Sequence, residues 1–285
     1  MLQPADLALI RDLLAVLGES GVPCFLIGAG ARVLGLDERF GISGARATLD
    51  WDFAVRVGSW EEWRLLHERL VSVEGMPFQA TGSPHRFRHR EGRLLDLVPY
   101  GGLEDPAGSL EWPDGSRMSV WGFDEAADRC EMLEVAPGLH LQVACLPSLA
   151  LLKLHGYLDR RARGVRHDIQ DLDWLLRHYD ALPAHEDRAQ SELREPLLAG
   201  EIEYSEAGAM LLGSDAARMH GPTVLEPLAG LLAELGDPYG RPVQDVLQAR
   251  RIVDEAQEEE LRARVLARFR AFRHGLAFGS EGGGA

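Results

Sequence analysis

The hydrophobic pattern of the chain changes near Pro147, and this change limits the possible folds more than any other feature. Before it, short apolar segments alternate with Gly- and Pro-containing turns, as in strands mixed with a few helices. After it, the segment PSLALLKLHGYLDRRARGVRHDIQDLDWLLRHY has apolar residues at helical spacing and few turn residues. Proline is favourable at the first position of a helix, so Pro147 fits a helix start. The pattern predicts an α+β protein with a sheet-centred first half and a helical second half.

This change in pattern also predicts the domain organisation. A length of 285 residues fits one large domain or two modest ones. We expect a mixed-sheet domain over residues 1–145 and a helical domain over residues 146–276. Residues 277–285, which include GSEGGGA, are expected to form a flexible tail.

Individual helices and strands can be predicted in the first half. Apolar residues at helical spacing predict a helix over residues 7–17, and the run CFLIGAGA predicts a buried strand that ends in glycines. An amphipathic helix is predicted over residues 60–71. Further strands are predicted over residues 48–57, 85–89, 93–99, 118–121, 132–135 and 139–144.

Charge and composition argue against several classes of protein. The net charge of -15 opposes tight non-specific binding to polyanions, so we expect no DNA partner. No apolar run approaches the ~20 residues of a membrane-spanning helix, and the N-terminal segment has acidic residues where a signal peptide has basic ones. We therefore expect a cytoplasmic protein with no membrane partner. Cys24, Cys130 and Cys145 lack CxxC spacing, which predicts buried thiols rather than a zinc site.

The segment LDWDFAV places two carboxylates in an apolar strand. Since side chains alternate along a strand, Asp50 and Asp52 are predicted to share one face, while Trp51 and Phe53 point to the other. Two adjacent carboxylates repel unless a cation neutralises them, and such oxygen ligands suit Mg²⁺. The pattern alone is weak evidence, because chance produces about seven carboxylate-x-carboxylate pairs in a chain this acidic. Its position after a strand that ends in glycines favours a metal site.

Asp96 lies in the apolar segment LLDLVP, where burial of an unpaired carboxylate is costly. A third acid facing the metal explains this position. An exposed aspartate on an edge strand, followed by a turn at Pro99, is the alternative.

Gly28, Ala29 and Gly30 follow the first predicted strand and precede a predicted helix. Backbone N–H groups at that helix start can receive phosphate oxygens, and Arg32 would project from the first turn. A tight packing turn is an equal alternative, because a GxG pattern is not specific.

Two basic clusters occur in this acidic chain. One contains Lys153 and Arg160 and continues with arginines at positions 161, 163 and 166, and the other is PHRFRHREGR. Both fit triphosphate or RNA-backbone binding, and both also fit solvated surfaces. Asp168 and Asp171 would orient these cations or contact a substrate, although acidic residues are also common at a helix start.

Several segments together resemble the AbiEii/AbiGii-type nucleotidyltransferases, the toxin-like branch of the DNA polymerase β-like nucleotidyltransferase superfamily. The similarity covers residues 25–179 and rests on IGAGAR, RATLDWDFAV, LDLVPYGG and the later WP, M-x-V-x-GF and LPSLALLKL segments. The DR…HDIQDL segment is similar to the family's D-R…K-D-x-x-D-L. The resemblance implies a nucleotidyltransferase-like mixed-sheet domain and a helical C-terminal domain, with the nucleotide in the cleft between them.

The resemblance also implies roles for individual residues. Asp50, Asp52 and Asp96 would hold Mg²⁺, and Gly28 with Ala29 would form the phosphate-binding turn. Residues of the second domain needed for activity would be Lys153 with Asp168 or Asp171. Further contacts to the NTP are expected from Arg32, Arg46, Thr48 and Arg160.

The implied reaction moves an NMP from an NTP to an acceptor hydroxyl, with Asp96 as the base or as a metal ligand beside the attacking oxygen. RNA such as tRNA, or a protein, is the expected acceptor. The chain would be the toxin of a type IV-like toxin–antitoxin pair, with a cognate antitoxin protein as partner.

The sequence departs from the family pattern at two positions, which keeps other functions open. Ala29 stands where the superfamily often has Ser, and His167 stands where Lys is usual. These departures would suit a catalytically inactive homologue that binds a nucleotide or a partner. The acidic net charge would suit a small-molecule acceptor of the antibiotic type better than RNA.

Overall fold

The computed structural model of the chain describes residues 2–44, 50–71, 76–250 and 253–282. The chain divides into two compact units, Met1–Cys145 and Leu146–Ala285. We call them the sheet unit and the helical unit, because the first contains a mixed sheet and the second consists of helices and turns. The predicted α+β class is confirmed at this level.

The sheet unit combines helices with short strands. Its helices are α1 (Pro4–Ser20), α2 (Gly28–Arg32), α3 (Trp60–Val71) and α4 (Phe123–Ala127), and a π-helical turn, Val33–Glu38, continues α2. Its strands are β1 (Cys24–Ile27), β2 (Asp50–Arg56), β3 (Phe78–Ala80), β4 (Arg86–His89), β5 (Leu94–Tyr100), β6 (Ser109–Glu111), β7 (Arg117–Ser119), β8 (Glu131–Ala136) and β9 (Leu139–Val143).

Within the described residues, seven strands form one sheet in the order β3-β4-β5-β2-β1-β9-β8. β2 is parallel to β5 and β1 is parallel to β9, whereas the other neighbouring strands are antiparallel. β6 and β7 form a separate antiparallel pair. The central strands β1, β2 and β5 are mostly buried, as expected for strands flanked on both edges and rich in apolar residues.

Helix α1 confirms the first predicted helix, and a hydrogen bond links it to the sheet. Its apolar stripe, which includes Leu9 and Leu13, is fully buried. The helix ends at Gly21, whose φ of 65° is the left-handed conformation that glycine adopts without strain. The buried carboxylate of Asp6 accepts a hydrogen bond from Trp51 Nε1 at 3.0 Å and so links α1 to β2.

The sequence predicted most of the strands, and the predicted segment 118–121 overlaps the three-residue strand β7. It missed β3 and β6, which also have three residues each, because so short a segment shows no period of its own. The three cysteines are free thiols, and Cys145 is buried as predicted, whereas Cys24 and Cys130 are only partly buried. Burial raises the pKa of Cys24 to about 12, which keeps this thiol protonated.

The helical unit contains α5 (Leu146–Arg160), α6 (His167–His178), α7 (His185–Glu192), α8 (Arg194–Leu198), α9 (Ala207–Leu225), α10 (Ala229–Glu234), α11 (Arg241–Leu247) and α12 (Glu255–Gly282). Short 3₁₀ turns lie at Arg161–Arg163, Tyr179–Ala181, Tyr204–Glu206 and Glu226–Leu228. None of the described helices combines the length and apolar character that crossing a membrane requires.

Helices α9 and α12 pack with their backbones close together. A Cβ atom at Gly275 would overlap the carbonyl oxygen of Met210, and one at Gly279 would overlap that of Ser214. Glycine is thus needed at both positions of the GLAFG segment. This packing holds α12 through Gly282, so residues 277–282 are helical rather than part of the flexible tail predicted from the glycine-rich ending.

Candidate functional site

Three acidic side chains converge at the centre of the sheet. The parallel pairing of β2 with β5 places Asp52 directly opposite Asp96. Asp50 lies two residues earlier on the same face of β2, because Trp51 and Phe53 are buried on the other face, as the alternation predicted. β5 has neighbours on both sides, so Asp96 is not on an edge strand and is 7% exposed.

The turn after β1 lies against Asp52. Gly28 has a φ of +67°, and a Cβ atom there would overlap the Asp52 carboxylate. A Cβ atom at Gly30 would come within 2.9 Å of the Trp51 ring. Both glycines therefore have a packing reason, and the turn that was predicted to bind phosphate lies beside the acidic residues.

Arg86, on β4, is a cation that pairs with two of these carboxylates. Its Nε atom donates to Asp96 Oδ1 at 2.6 Å, and its Nη2 atom donates to Asp96 Oδ2 at 2.5 Å and to Asp50 Oδ2 at 3.2 Å. The antiparallel register of β4 and β5 makes Arg86 the direct partner of Asp96. Hydrogen bonding to Asp96 and the surrounding carboxylate charges raise the pKa of Arg86, so the guanidinium stays charged.

The carboxylate oxygens of Asp50, Asp52 and Asp96 are of the chemical type that binds a divalent cation. Carboxylates on adjacent rigid strands are the ligands that Mg²⁺ takes, and one atom of Arg86 already lies between Asp50 and Asp96. In their present arrangement, however, the described residues include no group of three His, Cys, Asp or Glu side chains that could hold a metal ion. A metal ion bound by both Asp50 and Asp96 would compete with Arg86 for the same carboxylate oxygens.

Other predicted nucleotide contacts are placed differently. Arg32 is completely buried and forms an ion pair with Asp37 in the π-helical turn, so the structure gives it a structural role that the sequence did not indicate. Ala29 is buried as well. Arg46 and Thr48 lie outside the described residues.

The helical unit brings its predicted site residues together in a second cluster. Lys153, on α5, donates to Asp171 Oδ2 at 2.7 Å and lies 3.4 Å from Asp168 Oδ1. These three side chains are each no more than 7% exposed. A buried lysine paired with two carboxylates is a costly arrangement that is stable only when all partners are present.

Arg160 also contacts Asp168, and we call Lys153, Arg160, Asp168 and Asp171 the second cluster. Arg160 donates to Asp168 Oδ2 from Nε at 3.2 Å and from Nη2 at 2.8 Å. Burial by itself would raise the pKa of Asp168, but the charges of Lys153, Arg160 and His167 outweigh burial and lower it. Asp168 therefore remains ionised at neutral pH.

Two residues important to these clusters were not singled out from the sequence. Arg86 was noted only as part of PHRFRHREGR. Knowledge of the register of β4 and β5, which places Arg86 opposite Asp96, would have identified it. Gly156 leaves room for the Arg160–Asp168 pair, because a Cβ atom there would lie 2.7 Å from Arg160 Nη2. No pattern in the sequence marks that requirement, since α5 and α6 meet only in the folded chain.

Comparisons with known proteins add no assignment to this geometry. No protein-family model matches the chain, and no curated protein matches it.

Proposed function

We propose that this chain is a Mg²⁺-dependent nucleotidyltransferase that moves an NMP from an NTP to an acceptor hydroxyl and releases pyrophosphate. The observation that carries the proposal is the register of β2 and β5, which sets Asp52 opposite Asp96 with Asp50 on the same face. The contact of Arg86 with both Asp50 and Asp96 supports it, because two of these carboxylates converge on a single cation.

Each part of the sheet unit has a role in this proposal. Asp50, Asp52 and Asp96 would hold the metal, which when bound would neutralise the phosphate charge and activate the reacting oxygens. Asp96 would also accept the proton of the acceptor hydroxyl. The turn at Gly28 and Ala29 would offer backbone N–H groups to phosphate oxygens. The fold of the sheet unit would then be nucleotidyltransferase-like.

The residues of the helical unit would support the same reaction. Lys153 and Arg160 carry the positive charge of the second cluster, and Asp168 and Asp171 hold them in place. Because Arg160 is 39% exposed while Lys153 is 7% exposed, Arg160 is the better placed of the two to contact a phosphate group.

We further propose that the acceptor is RNA, such as tRNA, or a protein, and that the chain acts in the cytoplasm as the toxin of a toxin–antitoxin pair. These assignments rest on the resemblance to AbiEii/AbiGii-type nucleotidyltransferases. A small hydroxylated acceptor remains the alternative that suits the net charge of -15.

A second candidate function is nucleotide or partner binding without transfer. The pairing of Arg86 with Asp96 favours it, because a permanent guanidinium partner would make a metal unnecessary for the stability of the acids. In that case the chain would bind an NTP with or without Mg²⁺ and would transfer no nucleotide.

A label-transfer assay distinguishes these functions. Each of four α-³²P-NTPs is incubated with the chain and Mg²⁺, together with total tRNA, with no added acceptor, or with candidate small molecules. Label on one acceptor that disappears with Asp50→Asn supports the proposed transferase and identifies its substrate. NTP binding without any transfer supports the second candidate, and the absence of both transfer and NTP binding contradicts the transferase and the nucleotide-binding form of the second candidate.

A further inference from the structure

A buried carboxylate in the helical unit is surrounded by more positive charge than it can neutralise. Asp173, on α6, is 0% exposed. Arg268 of α12 donates to Asp173 Oδ1 from Nε at 2.9 Å and from Nη2 at 2.5 Å. Arg177 of α6 and Arg250, which follows α11, each place Nη2 3.3 Å from Asp173 Oδ2. We call Arg177, Arg250 and Arg268 the arginine cluster.

The arginine cluster has an excess of charge that its single acid leaves in place. Arg268 alone satisfies the charge of Asp173. In the part of the chain that the structure describes, Asp173 is the only carboxylate that forms an ion pair with Arg177, Arg250 or Arg268. Three guanidinium groups and one carboxylate leave a net charge of two positive units, in a chain whose total charge is -15.

The positive charges of the arginine cluster repel one another, and one donor atom of Arg250 has no hydrogen-bond partner among the described residues. Burial lowers the pKa of Arg177, and although the charge of Asp173 opposes this, the charges of Arg250, Arg268 and Arg264 also lower it. The donor atom of Arg250 is Nε, which is buried.

The excess charge is accessible from solvent. The side chains of Arg177 and Arg250 are 30% and 31% exposed, whereas Arg268 is 10% exposed and Asp173 is enclosed. Asp173 and Arg268 thus form the buried base of the cluster, and Arg177 and Arg250 form its open side. Planar guanidinium groups that converge in this way match the oxygens of a phosphate group, and a dianion would cancel the net charge.

We propose that the arginine cluster is a binding site for a phosphate-class oxyanion. The anion is bound by Arg177 and Arg250, while Asp173 and Arg268 hold the base of the site. The phosphate group belongs either to a free phosphate compound or to the backbone of an RNA. This site rests on the contacts around Asp173 alone and does not depend on the proposed transferase activity.

Isothermal titration calorimetry of the full chain with inorganic phosphate, at constant ionic strength in chloride, tests the site. We expect saturable binding that Arg250→Gln and Arg177→Gln each weaken by about tenfold, as for loss of a charged hydrogen bond. Arg64→Gln is the matched control, because Arg64 is an exposed arginine of α3 and its loss removes the same charge. Circular dichroism verifies that each variant is folded.

A titration with a short single-stranded RNA distinguishes the two sources of phosphate. If Arg250→Gln weakens RNA binding as much as phosphate binding, the site binds an RNA backbone, and if only phosphate binding weakens, it binds a free phosphate compound. Absence of saturable phosphate binding up to about 20 mM would overturn the proposal. Equal phosphate affinities of the wild-type chain and both cluster variants would also overturn it.

Discussion

Arg86 donates hydrogen bonds to both carboxylate oxygens of Asp96 from the adjacent strand, and the same guanidinium reaches Asp50. This pairing solves the problem of burying Asp96 in an apolar strand, because it supplies a charge and hydrogen bonds together. A divalent cation bound by both Asp50 and Asp96 would compete with this positive charge for their oxygens.

The first prediction concerns Arg86→Met. Removal of the competing guanidinium is expected to tighten Mn²⁺ or Mg²⁺ binding by about tenfold, the equivalent of a charged hydrogen bond that no longer has to be broken. Arg88→Met is the matched control, because Arg88 is an exposed arginine of the same strand. Calorimetric metal titration measures the effect. Unchanged or weaker metal affinity in Arg86→Met would contradict competition between Arg86 and the metal.

The second prediction concerns Gly28→Ala. An alanine here has a positive φ and a Cβ atom that displaces the Asp52 carboxylate, so we expect a loss of about 2 kcal/mol in the free energy of unfolding. Gly18→Ala is the control: Gly18 lies in α1 with open space around it, and alanine is expected to stabilise the helix by about 0.5 kcal/mol. Urea denaturation measures both variants, and equal effects would show that Gly28 is not constrained.

The third prediction concerns Lys153→Met. This change leaves Asp171 buried without its 2.7 Å partner and removes one of the positive charges near Asp168, which is expected to cost about 3 kcal/mol of stability. Arg163→Met removes the same charge from an exposed ion pair with Asp159, and its cost is expected to stay within about 0.5 kcal/mol. Chemical denaturation at neutral pH compares them. A loss in Lys153→Met as small as in the control would argue that the second cluster contributes little to stability.

The fourth prediction concerns His155 and pH. Burial lowers the pKa of His155 from 6.5 to about 4, and its Nε2 atom lies 3.0 Å from the carbonyl oxygen of Val224. Between these two values the unfolded chain binds a proton that the folded chain does not, so stability falls as pH drops from about 6.5 to 4. For one histidine the fall amounts to about 3 kcal/mol over the whole range.

The control for this pH dependence is His155→Gln, which has no group that titrates in this range. Urea denaturation at several pH values is expected to give a shallower pH dependence for the variant than for the wild-type chain. Other histidines, such as His85 and His185, also have pKa values lowered by burial and are expected to contribute equally to both proteins. The difference between the two curves therefore reports His155 alone, and identical curves would rule out its contribution.

Local sequence patterns were sufficient for the class of the fold and for part of the site. Alternation in LDWDFAV correctly placed Asp50 and Asp52 on one face of a strand, because neighbouring side chains of any strand point in opposite directions. Helical spacing correctly predicted α1 and α3. Pairing between strands was not predictable in this way, and it is the register of β4, β5 and β2 that brings Arg86 to Asp96 and Asp96 to Asp52.

The final helix, α12, also has features that depend on tertiary contacts rather than on local sequence. Arg268 of α12 pairs with Asp173, which is 95 residues away in the chain, and no local pattern indicates this partner. The glycine-rich ending looked flexible, yet Gly275 and Gly279 permit close packing on α9, and the helix continues to Gly282.

The sequence by itself determined the positions of most strands and helices and the α+β class, because these depend on spacing along the chain. For the same reason it determined on which strand or helix most residues of the two clusters lie. Only the tertiary structure decided which charges meet. Arg32 pairs with Asp37, Arg86 pairs with Asp96, and three arginines contact Asp173. The physical reason is that a buried charge is stable only beside its counter-charge, and the folded chain finds that partner in space rather than at any fixed distance in sequence.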